Sequence, residues 1–301
     1  MKRFCAAILA LSLLAATLSG CGAAQSAPET TAAQTTFPTE TAAPETTVPE
    51  TQPTVTVDAV PVPQYSQYEA PQPGVAEPVI TGSQTAVHVS TADEFLAAIA
   101  SDTEIIVDAE LIDFSTASNY GAYGTSEGNY RWNEEFDGPE LIIQNVTNLT
   151  VRGSGEERTD KVLSCVPRYA DVLTFENCAN IYVTHITAGH TQEPSQCAGG
   201  VLHFISSQDI LVEDCDLYGC GTLGVDADNS LNIQIINNLI HDCSYGGVQF
   251  SNCQNVRVDG NTFRDLGMEG YPGSVFRIYD SQNVTQVGGQ AVLGRQDSLP
   301  T

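Results

Sequence analysis

From residue 141 onward, apolar and polar positions alternate with a period of two, and the alternation restarts at a recurring mark. The mark is an apolar residue that follows Asn or Asp. The apolar members are Leu149, Ile181, Ile210, Ile233, Val256 and Val284, and they follow Asn148, Asn180, Asp209, Asn232, Asn255 and Asn283. Successive marks lie 32, 29, 23, 23 and 28 residues apart. Four residues ahead of each stand Asn145, Asn177, Ser206, Asn229, Asn252 and Asp280. Eight and six residues ahead come the pairs Leu141/Ile143, Leu173/Phe175, Leu202/Phe204, Val225/Ala227, Val248/Phe250 and Phe276/Ile278, which the alternation points inward. A second apolar residue follows most marks, at Val151, Val183, Val212, Ile235 and Val258. Upstream, Ser90-Thr91-Ala92-Asp93-Glu94 before Phe95, Leu96 and Ile99 has the form of a capping box opening a short amphipathic helix, and Thr103 to Val107 reads as a strand.

Repeats of about 23 residues made of short strands and turns predict a solenoid whose coils stack at ~4.8 Å, with Asn at fixed corners bonding its own turn and the coil above. Leucine-rich repeats share the length, but their Leu-x-x-Leu-x-Leu signature is absent. The pattern over residues 85–290 is similar to right-handed parallel β-helices of the pectin-lyase-like kind. That resemblance implies an all-β solenoid behind a short N-terminal capping helix, and it says little about chemistry, because one scaffold hosts many activities.

Composition divides the chain further. Met1-Lys2-Arg3 and the apolar run Phe4 to Leu18 read as an export signal too short to be a resident membrane span. Leu18-Ser19-Gly20-Cys21 resembles the lipobox of bacterial lipoproteins, which implies removal of residues 1–20 and lipidation of Cys21. Acyl chains there would anchor the protein on the outer face of the membrane. Residues 22–83 hold 12 Thr, 10 Pro and 7 acids without one base, so residues 21–83 are expected to form an unfolded stalk ahead of a single domain, 84–301. Stretched like polyproline, such a stalk reaches roughly 190 Å. The formal charge of the whole chain is −26, and residues 84–301 carry −21 of it. So negative a surface excludes nucleic acid as a partner and opposes unaided binding of polyanionic sugars, unless a bridging cation intervenes.

Outside the signal and the lipobox lie Cys165, Cys178, Cys197, Cys215, Cys220, Cys243 and Cys253. Cys197, Cys220 and Cys243 each stand thirteen residues before a mark and so should form one column. Stacked small apolar side chains, a disulfide and a metal site all remain open for it, and the odd count favours thiols.

Stacking turns sequence spacing into surface columns. Seven residues before the marks come Ile142, Thr174, His203, Asp226, Gln249 and Arg277, and five before come Gln144, Glu176, Ile205, Asp228, Ser251 and Tyr279. His203 and Asp226 are then neighbours on adjacent coils, while Asp226 and Asp228 are about 6.6 Å apart along one strand, flanked by Glu176 and Arg277. Paired carboxylates at such a separation suit inverting glycoside hydrolysis and equally a Ca²⁺ site. A plain solvated sheet face has the same composition. Loops ahead of the Gly-Val strands carry His190, Tyr218, His241 and Tyr245 and are placed to wall a groove; Gln192, Glu193, Glu269 and Gly270 belong to the same loops. Tyr120, Tyr123, Tyr130, Trp132 and Phe136 gather in one segment, as a platform for sugar rings or as cover for the open end of the helix.

Polygalacturonase-like enzymes carry Asn-Thr-Asp, Asp-Asp, Gly-His-Gly and Arg-Ile-Lys motifs, and Val225-Asp226-Ala227-Asp228 and Phe276-Arg277-Ile278-Tyr279 are faint echoes of them. Pectate lyases pair calcium carboxylates with a basic residue, whereas the domain has a single lysine, Lys161. The expected protein is a surface-anchored β-helix that binds polysaccharide or cell-envelope glycan. The alternatives are a hydrolase or lyase using Asp226, Asp228, His203 and Arg277, and a structural spacer.

Overall fold

A computed structural model describes residues 82–124, 128–191, 197–219, 221–268 and 271–293. The chain divides into two units, Met1–Val60 and Pro61–Thr301, and every described residue belongs to the second. The export signal, Cys21 and nearly all of the stalk therefore lie outside the described residues. Among the described residues no helix is long and apolar enough to cross a membrane.

The described chain is a right-handed parallel β-helix with three sheets, each coil contributing one short strand to each. One sheet carries the marks, in strands such as Ala179–Thr184, Gln208–Glu213, Leu231–Ile236 and Gln254–Asp259. A second comprises Gly138–Gln144, Leu173–Glu176, Leu202–Ile205, Leu223–Asp228, Gly246–Ser251 and Ser274–Tyr279. A third includes Val162–Cys165, Thr187–His190, Asp216–Tyr218, Leu239–His241 and Thr262–Met268. Register is kept from coil to coil, with Ile210 against Ile181 and Ile233, and His203 against Thr174 and Asp226. Like residues stack inside, and the rings of Phe175 and Phe204 lie 5.2 Å apart and nearly parallel.

The corners explain the Asn and Asp code. Asn145, Asn148, Asn177, Asn180, Asn229, Asn232, Asn252 and Asn255 all have φ between 51° and 60°, as do Ser206 and Asp209 in the coil between them. Asn and Asp tolerate this left-handed conformation better than other side chains. The residues before the marks also form a ladder: Nδ2 of Asn180 donates to Asn148, that of Asn232 to Asp209, that of Asn255 to Asn232 and that of Asn283 to Asn255. The ladder breaks at one rung, because the Asp209 carboxylate has no N–H to offer and the buried Oδ1 of Asn180 has no partner.

The helix Ala92–Ala98 caps the N-terminal end. Thr91 Oγ1 accepts from Glu94 N and the Glu94 carboxylate accepts from Ser90 N, while Phe95 and Leu96 are buried. Beside it the strand Tyr130–Glu135 folds back antiparallel onto Gly138–Gln144. Trp132 is only 4% exposed and Tyr130 is also buried; Asn119 accepts from Trp132 Nε1 and donates to the Tyr130 hydroxyl. These two rings cover the end of the core, which rules them out as a platform open to sugars. In the expected cysteine column, two of the open alternatives are met. Cys197 is disulfide-bonded, Cys243 is a buried thiol, and Cys220 lies outside the described residues. Cys178 and Cys253 occupy a second interior column with Ser207, Ser230 and Ser281, where Ser207 Oγ accepts from Cys178 N and Ser281 Oγ from Cys253 N.

The broken rung gives a test. Asp209→Asn keeps an oxygen for Asn232 and supplies an N–H to Asn180, so denaturant unfolding should show a gain of about 1 kcal/mol. Asn232→Ala, which removes a ladder residue from a left-handed corner, should cost about 1–2 kcal/mol in the same assay.

Candidate acid–base cleft

The outward columns of the second sheet meet as the spacing predicts. His203 lies between Asp226 on the next coil and Thr174 on the previous one, and Asp228 stands two residues beyond Asp226 on the strand Leu223–Asp228. His203 is held at both nitrogens: Nδ1 bonds Asp171 Oδ2 at 2.9 Å and Nε2 bonds Asp228 Oδ2 at 3.1 Å. Two carboxylate partners require two N–H donors, so the ring is an imidazolium. Burial opposes that charge, but the hydrogen bonds and charges of Asp171, Asp226 and Asp228 prevail and raise the pKa to about 9.

Asp171 enters from outside the repeat. It precedes the strand Leu173–Glu176, and one oxygen accepts from Gly200 N while the other meets His203. Gly199 allows this approach, since a Cβ there would lie 2.0 Å from the Ala170 carbonyl oxygen. Asp226 is pushed up to about 6, first by burial and then by Asp228 and Asp171, against the pull of His203 and of Gln249, whose Nε2 donates to both carboxylate oxygens at 3.2 Å. Glu140 is 7% exposed and accepts from Thr174 Oγ1 at 2.6 Å; burial and the Asp171 charge raise it to about 7. Glu176 pairs with Arg131 at 2.9 Å.

Arg131, Glu140, Asp171, Thr174, His203 and Asp226 line a cleft of about 440 Å³ that also includes Asn133, Glu135, Tyr169 and Gly199. At its rim Tyr169 is 47% exposed, and its ring lies 5.0 Å from that of Phe136, which is 85% exposed. Further along the same sheet Arg277 donates to Gln249 Oε1 and to the hydroxyls of Tyr245 and Tyr279, its guanidinium 3.7 Å above the Tyr245 ring. Gln249 thus links Arg277 to Asp226.

Other expected site residues fall elsewhere. His190 is 1% exposed, with Nε2 bonded to the Ala170 carbonyl and Nδ1 without a partner, so it walls no groove. Tyr218 and His241 belong to the third sheet, where their rings lie 5.9 Å apart and His241 is held between Asp216 and Asp242. Of the four loop residues only Tyr245 joins the second sheet's face. Gln192, Glu193, Glu269 and Gly270 lie outside the described residues.

Sequence reasoning missed Asp171, Glu140 and Tyr169. Glu140 was within reach, because it sits one alternation upstream of Ile142 in the same strand. Asp171 and Tyr169 belong to a connection between strands and have no period.

His203, Asp226 and Asp228 each offer one donor atom within 4.8 Å of the others, close enough to meet on one ion. The two carboxylates are the oxygen donors calcium takes, whereas imidazole suits a transition ion. Because both nitrogens of His203 are engaged by carboxylates, ion binding competes with the ion pairs.

The family profile described as "Right handed beta helix region" matches residues 168–288. No curated protein matches the chain. Among solved structures, the chain is similar to a protein provisionally assigned as a glycosyl hydrolase from Parabacteroides merdae ATCC 43184, at 11% identity over 68% of this chain and 97% of the other, TM-score 0.46. It is also similar to a pectate lyase from Bacillus sp. N165 in complex with trigalacturonate, at 10% identity over 73% and 86%, TM-score 0.43. A polygalacturonase from Erwinia carotovora matches at 12% identity over 69% and 71%, TM-score 0.27.

The raised pKa of His203 fixes the sign of a stability effect. The stabilisation from the charged ring is fully present below its ordinary value of 6.5 and is lost as pH rises through about 9. Melting of wild type between pH 6.5 and 9 should therefore show a decline that His203→Gln lacks, and the variant should already be less stable at pH 6.

Proposed function

We propose that this protein binds a polysaccharide or cell-envelope glycan along the second sheet and hydrolyses it at the carboxylate cluster. The observation that carries this reading is the pairing of a carboxyl raised to about 6, Asp226, which lines the cleft, with a second carboxylate, Asp228, two residues along the same strand and held against the His203 imidazolium. Glycoside hydrolysis needs such a division, one carboxylic acid to protonate the leaving oxygen and one carboxylate to meet the sugar's anomeric carbon or its attacking water. Asp226 takes the first role and Asp228 the second. His203, locked by Asp171, orients Asp228, and Gln249 with Arg277 orients Asp226.

Noncatalytic binding is the second reading, favoured by the half-exposed tyrosines Tyr245 and Tyr279 around Arg277 on the same face. In either case the lipid on Cys21 would hold the domain at the membrane's outer face, with the segment to residue 83 as its tether.

Reducing-end release from a panel of oligosaccharides tests the reading. Asp226→Asn should lower kcat roughly 10²–10⁴-fold with little change in KM. The wild-type rate should fall as pH rises through about 6, where the acid loses its proton. If wild type turns over no member of the panel while binding survives in Asp226→Asn and is lost in Tyr245→Ala, the noncatalytic reading replaces this one. Metabolic labelling with palmitate should mark wild type and leave Cys21→Ala unlabelled.

A further inference from the structure

One wall of the cleft is tied down covalently, and the hydrolysis proposed above does not call on that bond. Ala198, Gly199 and Tyr169 line the cleft beside Asp171 and His203. Residues 198–200 hold this wall in shape. Ala198 N and Gly199 N both donate to the Arg168 carbonyl, at 2.6 and 2.8 Å, and Gly200 N donates to the Asp171 carboxylate, whose other oxygen meets His203. The next coil braces them in turn, with Thr222 N donating to the Gly199 carbonyl at 2.9 Å and Thr222 Oγ1 to that of Ala198 at 3.2 Å. Yet the segment has almost no side chain to pin it. A Cβ on Gly199 would lie 2.0 Å from the Ala170 carbonyl oxygen and one on Gly200 3.0 Å from Asp171 Oδ1, so the close approach demands glycines, which also have the greatest backbone freedom. Immediately ahead of them stands Cys197, disulfide-bonded and half-buried. The other described cysteines are free thiols, so its partner lies outside the described residues.

We propose that this disulfide is a redox control on the site: intact, it fixes residues 198–200 against Asp171, and opened by an external dithiol it frees them, so that Asp171 no longer holds His203 in place. A thiolate of the dithiol attacks one sulfur and breaks the S–S bond, and its second thiol then displaces the mixed disulfide. Two electrons and two protons pass to the protein, which is left with two thiols, and the reductant leaves as a cyclic disulfide. The remaining sulfurs do not compete. Cys165, Cys178, Cys215, Cys243 and Cys253 are buried, and burial raises each thiol, Cys215 and Cys243 to about 12, so none offers a thiolate for exchange. Control of turnover rests on the hydrolysis reading above, whereas control of the wall does not.

Hydrogen exchange and proton NMR of the full chain before and after dithiothreitol test this, with iodoacetamide and mass spectrometry verifying that the disulfide has opened. Reduction should speed exchange of the Gly200 amide on the order of tenfold and abolish the low-field Nδ1–H signal of His203, identified by its absence in His203→Gln. Cys197→Ser should do the same without reductant, and oxidised glutathione should restore reduced wild type. Where oligosaccharide is hydrolysed, kcat should fall roughly 10–10²-fold on reduction and return on reoxidation. Cys243→Ser, which alters a buried thiol, should respond to reductant as wild type does. An opened disulfide with unchanged Gly200 exchange and an unchanged His203 signal overturns the proposal and leaves hydrolysis at Asp226 standing. So does a general loss of protection across all three sheets, which would make the bond a staple of the whole fold. If no oligosaccharide is hydrolysed yet both signals respond, the hydrolysis reading falls and the redox control of the wall stands.

Discussion

Coils of this chain stack in register because the corner ahead of each mark is held in the same backbone conformation. A parallel ladder fixes neighbouring strands at ~4.8 Å only when each coil turns at the same place, and two left-handed residues at the corner ahead of each mark set that place. Asn and Asp accept the conformation, and the Asn amides tie the corner of one coil to that of the next. The interior columns follow. Marks of like shape lie over one another, the Phe175 and Phe204 rings stack, and small Ser and Cys side chains fill the column behind the corner, where their oxygens accept backbone N–H groups. Slipping a strand by one residue would send all of these side chains to the solvent face.

The same stacking sets the electrostatics of the cleft. Outward columns bring Asp226, Asp228 and His203 within a few ångströms, and a carboxyl crowded among like charges and partly buried holds its proton more tightly. An imidazolium is the one cation there that touches two carboxylates at once, and it remains charged at neutral pH because both of its nitrogens are engaged. The cleft therefore holds a carboxyl poised to give up a proton beside an imidazolium that is bonded to two further carboxylates. The aromatic rim and the Arg277–tyrosine group extend the same face in both directions from that centre.

Periodic features were legible in advance. The columns of His203, Asp226, Gln249 and Arg277, and of Glu176, Asp228 and Tyr279, needed only the spacing of the marks, and the capping helix needed only its box and apolar stripe. Features lying between strands were not. His190 and Tyr245 both read as loop residues ahead of a strand, yet one ends a strand of the third sheet, buried against Ala170, and the other stacks under Arg277. Trp132 and Tyr130 suggested a sugar platform in a segment whose fold-back hairpin turns them into the core.

The chain's own order of residues determined the strand period, the corner chemistry, the inward and outward faces and hence which side chains share a column. Those are local properties, repeated at constant rise and constant coil spacing, so counting along the chain measures distance in space. The tertiary structure alone decided which charges are buried, that Asp171 reaches His203, that Glu140 is buried against Thr174, and that Tyr169 meets Phe136. Such contacts join connections of unequal length, and no repeat in the sequence records where a loop of arbitrary length comes to rest.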